Sequence, residues 1–310
     1  VREKVDFLTL TKTPDLAAEV TLQPIRRFGM DAAILFSDIM TPLEGMGLEL
    51  EFAPGPVIGN PVRSAAEVDV LRGIEPEESV PFVLETIRIL STELPSSAPL
   101  IGFAGAPFTL FCYVVEGTGS KTFSTAKAFL FAESSAAVRL LEKLADVTAS
   151  YLMAQAAAGA QALMLFDSWA GILGPEDYNC YGLPSVARVL DRLEPLGLPL
   201  IYFPNQGSTL LAEVRRLGAD VIGVDWRTSL SIARATLGPD KAVQGNLDPA
   251  ALFAPPDELE RRIDNVLEEA CSEPGHIFNL GHGIGRLTDP DQVARLVDYV
   301  HQKTEVGARA

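Results

Sequence analysis

Seven short apolar runs punctuate the chain, and each stops on a turn of polar or glycine residues. Ala32–Phe36 ends at Ser37-Asp38, Leu100–Ala104 at Gly105-Ala106-Pro107, and Ala162–Phe166 at Asp167-Ser168-Trp169. Leu200–Phe203 ends at Asn205-Gln206, Val221–Val224 at Asp225-Trp226-Arg227, Ala242–Gln244 at Gly245-Asn246-Leu247-Asp248, and Ile277–Leu280 at Gly281-His282-Gly283. Apolar runs without alternation are the signature of parallel strands covered on both faces. Between them lie stretches of helical period. In Pro81–Leu94, Val83, Ile87, Leu90 and Leu94 share one face, and Ser134–Ala158 buries Leu140, Leu141, Leu144 and Val147. Further helices are expected near Pro184–Leu193, Ser208–Leu217, Ser229–Leu237, Asp257–Cys271 and Pro290–Val300, with acids or a capping Asp at the last two starts.

Strand–helix alternation with right-handed crossovers gives a parallel sheet. The predicted fold class is α/β, a single (β/α)8 barrel of the TIM type over residues 1–310. Its active site would lie at the carboxyl ends of the strands, where the seven polar turns would meet. A closed barrel needs an eighth strand, expected either as a short polar strand or ahead of Val1. A doubly wound open sheet is the alternative, and the lack of a GxGxxG turn after the first strand counts against it. Leu48–Arg63, with Leu48, Leu50 and Phe52 alternating before Ala53-Pro54-Gly55-Pro56, reads as a hairpin forming a wall over the active face.

Charge narrows the function. The formal net charge of −16 disfavours nucleic acid and anionic membrane as partners. No run reaches about 18 uninterrupted apolar residues, so no membrane span is expected. Cys112, Cys180 and Cys271, odd in number and far apart, fit a reducing compartment. The first residues lack a secretory apolar segment, and a cytoplasmic location is expected.

The strand-end turns supply the candidate chemistry. Asp38 is either a turn-capping residue or an acceptor aimed into the pocket. Gly105-Ala106-Pro107 enters a helix, with Tyr113 a turn or so beyond; the following Gly117-Thr118-Gly119-Ser120-Lys121 lacks P-loop spacing and reads as a loop. Ser168 has no GxSxG context, so a binding hydroxyl suits it better than a nucleophile. His282, flanked by glycines that let the backbone approach a ligand, is the histidine suited to a site role. Asp225 and Arg227 read equally as a structural ion pair or as site residues. No spacing of His and Cys indicates a metal, and no organic cofactor motif is present.

Taken in order, Phe36-Ser37-Asp38-Ile39, Gly105-Ala106-Pro107-Phe108-Thr109 through Tyr113-x-x-Glu116-Gly117, Phe166-Asp167-Ser168-Trp169-Ala170-Gly171, Gly245-Asn246-Leu247-Asp248-Pro249 and Asn279-Leu280-Gly281-His282-Gly283-Ile284 resemble uroporphyrinogen decarboxylase. The resemblance implies a (β/α)8 barrel, a homodimer, and decarboxylation of four acetate side chains of uroporphyrinogen III to coproporphyrinogen III without metal or cofactor. It implies Asp38 as the catalytic carboxylate, and Asp38, Tyr113, Phe166, Ser168 and His282 as contacts to the tetrapyrrole. The family's arginine-bearing segment, which reads like Arg-Gln-Ala-Gly-Arg, lies ahead of the stretch beginning at Val1. Arg26, Arg27, Arg63, Arg227 and Arg286 are the cations available here for substrate carboxylates, with Arg227 favoured. Two alternatives stand beside this one: a zinc- or cobalamin-linked methyltransferase on a related barrel, and a non-catalytic porphyrin-binding barrel.

Overall fold

The structure, a computed structural model, describes residues 5–52, 55–270 and 275–304. Seven parallel strands form its main sheet: β1 (Ala33–Ile34), β4 (Leu100–Gly105), β5 (Ala162–Asp167), β6 (Leu200–Pro204), β7 (Val221–Gly223), β8 (Ala242–Leu247) and β9 (His276–Leu280). They are hydrogen-bonded in chain order, β1-β4-β5-β6-β7-β8-β9. A separate antiparallel pair, β2 (Leu50–Phe52) and β3 (Pro56–Ile58), is the hairpin. All seven main strands coincide with the apolar runs, and each crossover carries helix, as short parallel strands require. The sheet curls into a barrel of the TIM type. Among the described residues no ladder joins β1 to β9. Closure there is made by helices, since Pro290–Thr304 packs on Pro14–Phe28 and His301 Nε2 lies 3.1 Å from Asp31 Oδ2.

The long helix Ser134–Ala158 has the predicted bounds and packs against β4 and β5. Its buried Gln155 clamps β4 from outside the ring: Oε1 accepts from Phe103 N and Nε2 donates to Phe103 O, both at 2.9 Å. Gly102 leaves space for that amide, because a β-carbon there would stand 2.5 Å from Oε1. The expected helix Ser208–Leu217 is instead a 3-10 turn, Gly207–Leu210, followed by one α-turn, Leu211–Val214. Gly207 begins this turn and Gly218 follows it. The helix expected over Asp257–Cys271 runs Pro256–Glu269, and Cys271 lies outside the described residues.

The hairpin docks where the active face was expected. Ile58 N donates to Gly117 O at 2.8 Å and Val62 N to Val114 O at 3.0 Å, which fastens β3 to the helix Pro107–Glu116 that follows β4. Phe7, on the helix Phe7–Lys12, touches Phe52 of the hairpin and Phe36 after β1, with ring centroids 4.9 and 6.1 Å apart. Residues 53–54 in the hairpin connection lie outside the described residues.

Candidate active site

The barrel opening is built from the carboxyl ends of the strands. Inward residues of adjacent strands supply an aromatic floor: Phe103 of β4 meets Phe166 of β5 edge-on at 5.5 Å, and Phe166 meets Phe203 of β6 at 6.3 Å. Phe203 in turn lies 6.4 Å from the imidazole of His282, ring to ring. Gly223 on β7 permits this packing, because a β-carbon there would come within 2.5 Å of the Phe203 ring. The predicted pair Phe166 and His282 thus shares one apolar wall, with the His282 side chain exposed above it.

Asp38 sits where β1 ends and the chain turns. Its Oδ1 accepts from Met40 N at 2.8 Å, closing an Asx turn. Among the described residues no cation pairs with it, and burial raises its pKa against the opposing effect of that one amide. The carboxylate acts electrostatically on Tyr113, whose phenol is pushed up first by burial and further by the Asp38 charge. Tyr113 leans edge-on against Trp169, centroids 6.4 Å apart, and Trp169 follows Ser168. The buried Phe123 completes that cluster, 5.6 Å from Tyr113 and 4.6 Å from Trp169. Asp38, Tyr113 and Trp169 are therefore linked, and Ser168 precedes Trp169 in the turn after β5, whose Phe166 packs on Phe203 toward His282.

Other candidates fall elsewhere. Asp167 points away from the opening into the layer between sheet and helices, where it is fully buried. Arg26 is committed to Glu19 and Glu93 at 2.9 and 3.2 Å on the helix layer. Arg63 donates to the carbonyls of Val115 and Glu116 at 3.2 and 3.0 Å. Arg227, after β7, stacks on Trp226 at 3.9 Å and lies 3.4 Å from the buried Asp225 carboxylate. Asp225 also accepts from Gln206 N and Arg227 N at 2.6 and 2.8 Å, so both readings of this pair meet in one structure: an anchored aspartate and an exposed guanidinium at a strand end. His276 is tied to Gly245 O at 2.7 Å, and burial lowers its pKa. Among the described residues no group of three or more His, Cys, Asp or Glu could hold a metal ion, and no helix is long and apolar enough to cross a membrane.

The comparisons with known proteins decide the family. The model of the family described as uroporphyrinogen decarboxylase (URO-D) matches residues 1–303. This chain belongs to the uroporphyrinogen decarboxylase family. A uroporphyrinogen decarboxylase of Syntrophotalea carbinolica is 53% identical over 305 residues, covering 98% of this chain and 89% of the relative. One from Carboxydothermus hydrogenoformans is 52% identical, covering 97% and 87%. Among solved structures, a methyltransferase from Methanosarcina mazei superposes with a TM-score of 0.83 over 96% of this chain and 88% of its own, at 17% identity. That likeness is one of barrel architecture.

Proposed function

We propose that the protein removes carbon dioxide from the acetate side chains of uroporphyrinogen III, giving coproporphyrinogen III on the route to haem. The observation that carries this reading is Asp38: a half-buried carboxylate with one backbone donor and, among the described residues, no cation, at the mouth of an aromatic-floored barrel. A tetrapyrrole macrocycle directs its four N–H groups toward one point, and a carboxylate there accepts from them. When a pyrrole carbon takes up a proton, the ring becomes cationic and the same carboxylate stabilises it. The C–C bond to the acetate carboxylate then breaks, and its electron pair flows into the charged ring. Carbon dioxide leaves, the exocyclic carbon takes a proton, and the ring returns its own. The net change is one proton gained for each carbon dioxide lost, so the electrons balance with no metal or organic cofactor.

In this scheme Tyr113, Ser168 and His282 hydrogen-bond peripheral carboxylates, and Phe166 packs against the macrocycle. Arg227 and Arg286, on the loops after β7 and β9, offset the protein's negative charge toward a polyanionic substrate. We read residues 1–310 as one barrel unit, acting in the cytoplasm as a homodimer, a state that analytical ultracentrifugation measures. The direct test is anaerobic incubation with uroporphyrinogen III and chromatography of the products. Coproporphyrinogen should accumulate through partially decarboxylated intermediates, and a binding-only barrel would return the substrate unchanged.

Binding and chemistry separate at Tyr113. Tyr113→Phe keeps the ring contacts to Phe123 and Trp169 but removes the hydroxyl. Losing one hydrogen bond to a charged group should raise KM about tenfold or more, with kcat within a few-fold. A variant with unchanged KM and depressed kcat would move Tyr113 from binding into the chemical step.

A further inference from the structure

Directly behind the floor of the site lies a buried polar chain that the proposed reaction does not use. Asp167 ends β5 with its side chain on the side opposite Phe166. Its Oδ1 accepts from Thr109 Oγ1 at 2.6 Å and its Oδ2 from the Tyr202 hydroxyl at 2.8 Å. Tyr202 OH is 2.9 Å from Tyr178 OH, and Thr109 Oγ1 also accepts from Trp169 N at 3.1 Å. Asp167, Thr109, Tyr178 and Tyr202 are all buried. The turn after Asp167 is held a second time from β6: Asn205 N donates to Asp167 O at 3.0 Å, and Asn205 Nδ2 to Ser168 O at 3.1 Å.

We infer that Asp167 is a positioning residue that fixes the Ser168-Trp169 turn by dictating which way the hydroxyls around it donate. An ionised carboxylate only accepts. Thr109 must then give its one proton to Asp167, leaving its lone pairs for Trp169 N–H. Tyr202 must also give its proton to Asp167, so Tyr178 donates to Tyr202. One charge orients three hydroxyls and, through Thr109, the backbone of Trp169. A protonated Asp167 carries a proton of its own, which must point at Thr109 or Tyr202. If it points at Thr109, the Thr109 hydroxyl loses its acceptor while still facing the Trp169 N–H, and the turn loosens. The consequence for substrate binding rests on the reading of Ser168 given above.

The surroundings make this device sensitive to pH. Tyr202 on β6, Tyr178 on the turn Tyr178–Gly182, and Cys112 on the helix Pro107–Glu116 face the carboxylate, and burial holds all three in their neutral forms. Further out, Glu116 and Lys127 act on Cys112, and Glu213 and Arg216 act on Tyr178. Among the described residues no cation stands beside it, and Asp167 is pushed up to about 6 by burial, against the two hydroxyls that lower it. The folded pKa lies above the ordinary one, so the oriented, ionised state holds above about pH 6 and is lost as pH falls through that value.

The test uses Trp169 as its own reporter in a Trp226→Phe background, which leaves one tryptophan. Without substrate, Trp169 emission should inflect near pH 6, and the inflection should vanish in Asp167→Asn and Thr109→Val but survive in Thr109→Ser. At pH 7.5, Asp167→Asn and Thr109→Val should each raise KM about three- to tenfold with kcat within twofold, and the double variant should be no worse than either alone. An inflection unchanged in Asp167→Asn, or full additivity of the two substitutions, overturns the inference. If Asp167→Asn fails to fold, the contrast between Thr109→Val and Thr109→Ser carries the test alone. Ser168→Ala separates the two readings. Raised KM there with unchanged KM in Asp167→Asn sinks the positioning role only. Unchanged KM there, with the inflection lost in Asp167→Asn, upholds the positioning role and removes Ser168 from substrate binding.

Discussion

Replacing Asp38 by asparagine should lower kcat about 10²- to 10³-fold while the protein stays folded, the loss typical of removing one preorganised electrostatic group from a transition state. Asparagine keeps the shape and can still accept from Met40 N, so the Asx turn survives. What disappears is the negative charge facing a ring made cationic by protonation. Stability should move the other way. Asp38 carries its charge half-buried with a single donor, so its ionised form costs the unliganded protein free energy. Asp38→Asn should therefore melt at or slightly above the wild-type temperature. Lost activity with lost stability would mean that Asp38 serves the fold, and near-normal turnover would remove it from the mechanism.

The same carboxylate fixes the sign of the pH dependence. Its folded pKa lies above the usual carboxylate value, and the ionised form is the one the scheme needs. Turnover in wild type should thus fall on the acid side, starting at a higher pH than an exposed aspartate would set. Stability of the free enzyme should gain from that group over the same fall, because protonation removes the buried charge.

Much of this architecture is legible in the sequence. The seven apolar runs became the seven parallel strands because a sheet covered on both faces leaves few polar positions before the strand ends. The polar turns gathered at one face because all seven strands run parallel, which brings their carboxyl ends together. Harder to read were contacts that depend on three-dimensional pairing. Phe166 and Asp167 are adjacent residues at the end of β5, but the period of two puts one in the floor and sends the other behind it. Thr109, Tyr178 and Tyr202 come from three distant segments, and no local pattern links them to Asp167. Arg26 and Arg63 looked available as cations until the structure paired one with Glu19 and Glu93 and the other with backbone carbonyls. The helix Pro14–Phe28 runs on through Pro24 and packs chiefly on Pro81–Glu93, with Pro290–Thr304 as a lesser neighbour that closes the ring.

Glycine 245 should be the least replaceable small residue on the barrel wall. Its φ of +134° is a conformation that side chains rarely adopt, and a β-carbon there would press on the backbone oxygen of Val224. Backbone cannot swing aside as a side-chain tip can. Strain of about 1–3 kcal/mol from the dihedral and a similar amount from the contact give Gly245→Ala an expected cost of about 2–6 kcal/mol. At roughly 2–4 °C per kcal/mol, Tm should fall by about 4–24 °C. Gly29→Ala is the control, because φ there is +66° but nothing lies within 4 Å of the added carbon. It bears only the left-handed conformational cost of about 1 kcal/mol. The damage at 245 should also reach the site. Gly245 O accepts from His276, and the next residue's Asn246 Nδ2 donates to Asp225 O and Thr228 O at 3.1 and 2.6 Å, bracketing the turn that carries Arg227. Displacing β8 should therefore raise KM along with lowering Tm, whereas Gly29→Ala, on the helix layer, should leave KM alone. Equal melting temperatures for the two variants would show that Val224 yields, and that the wall of the barrel is softer than its close contacts suggest.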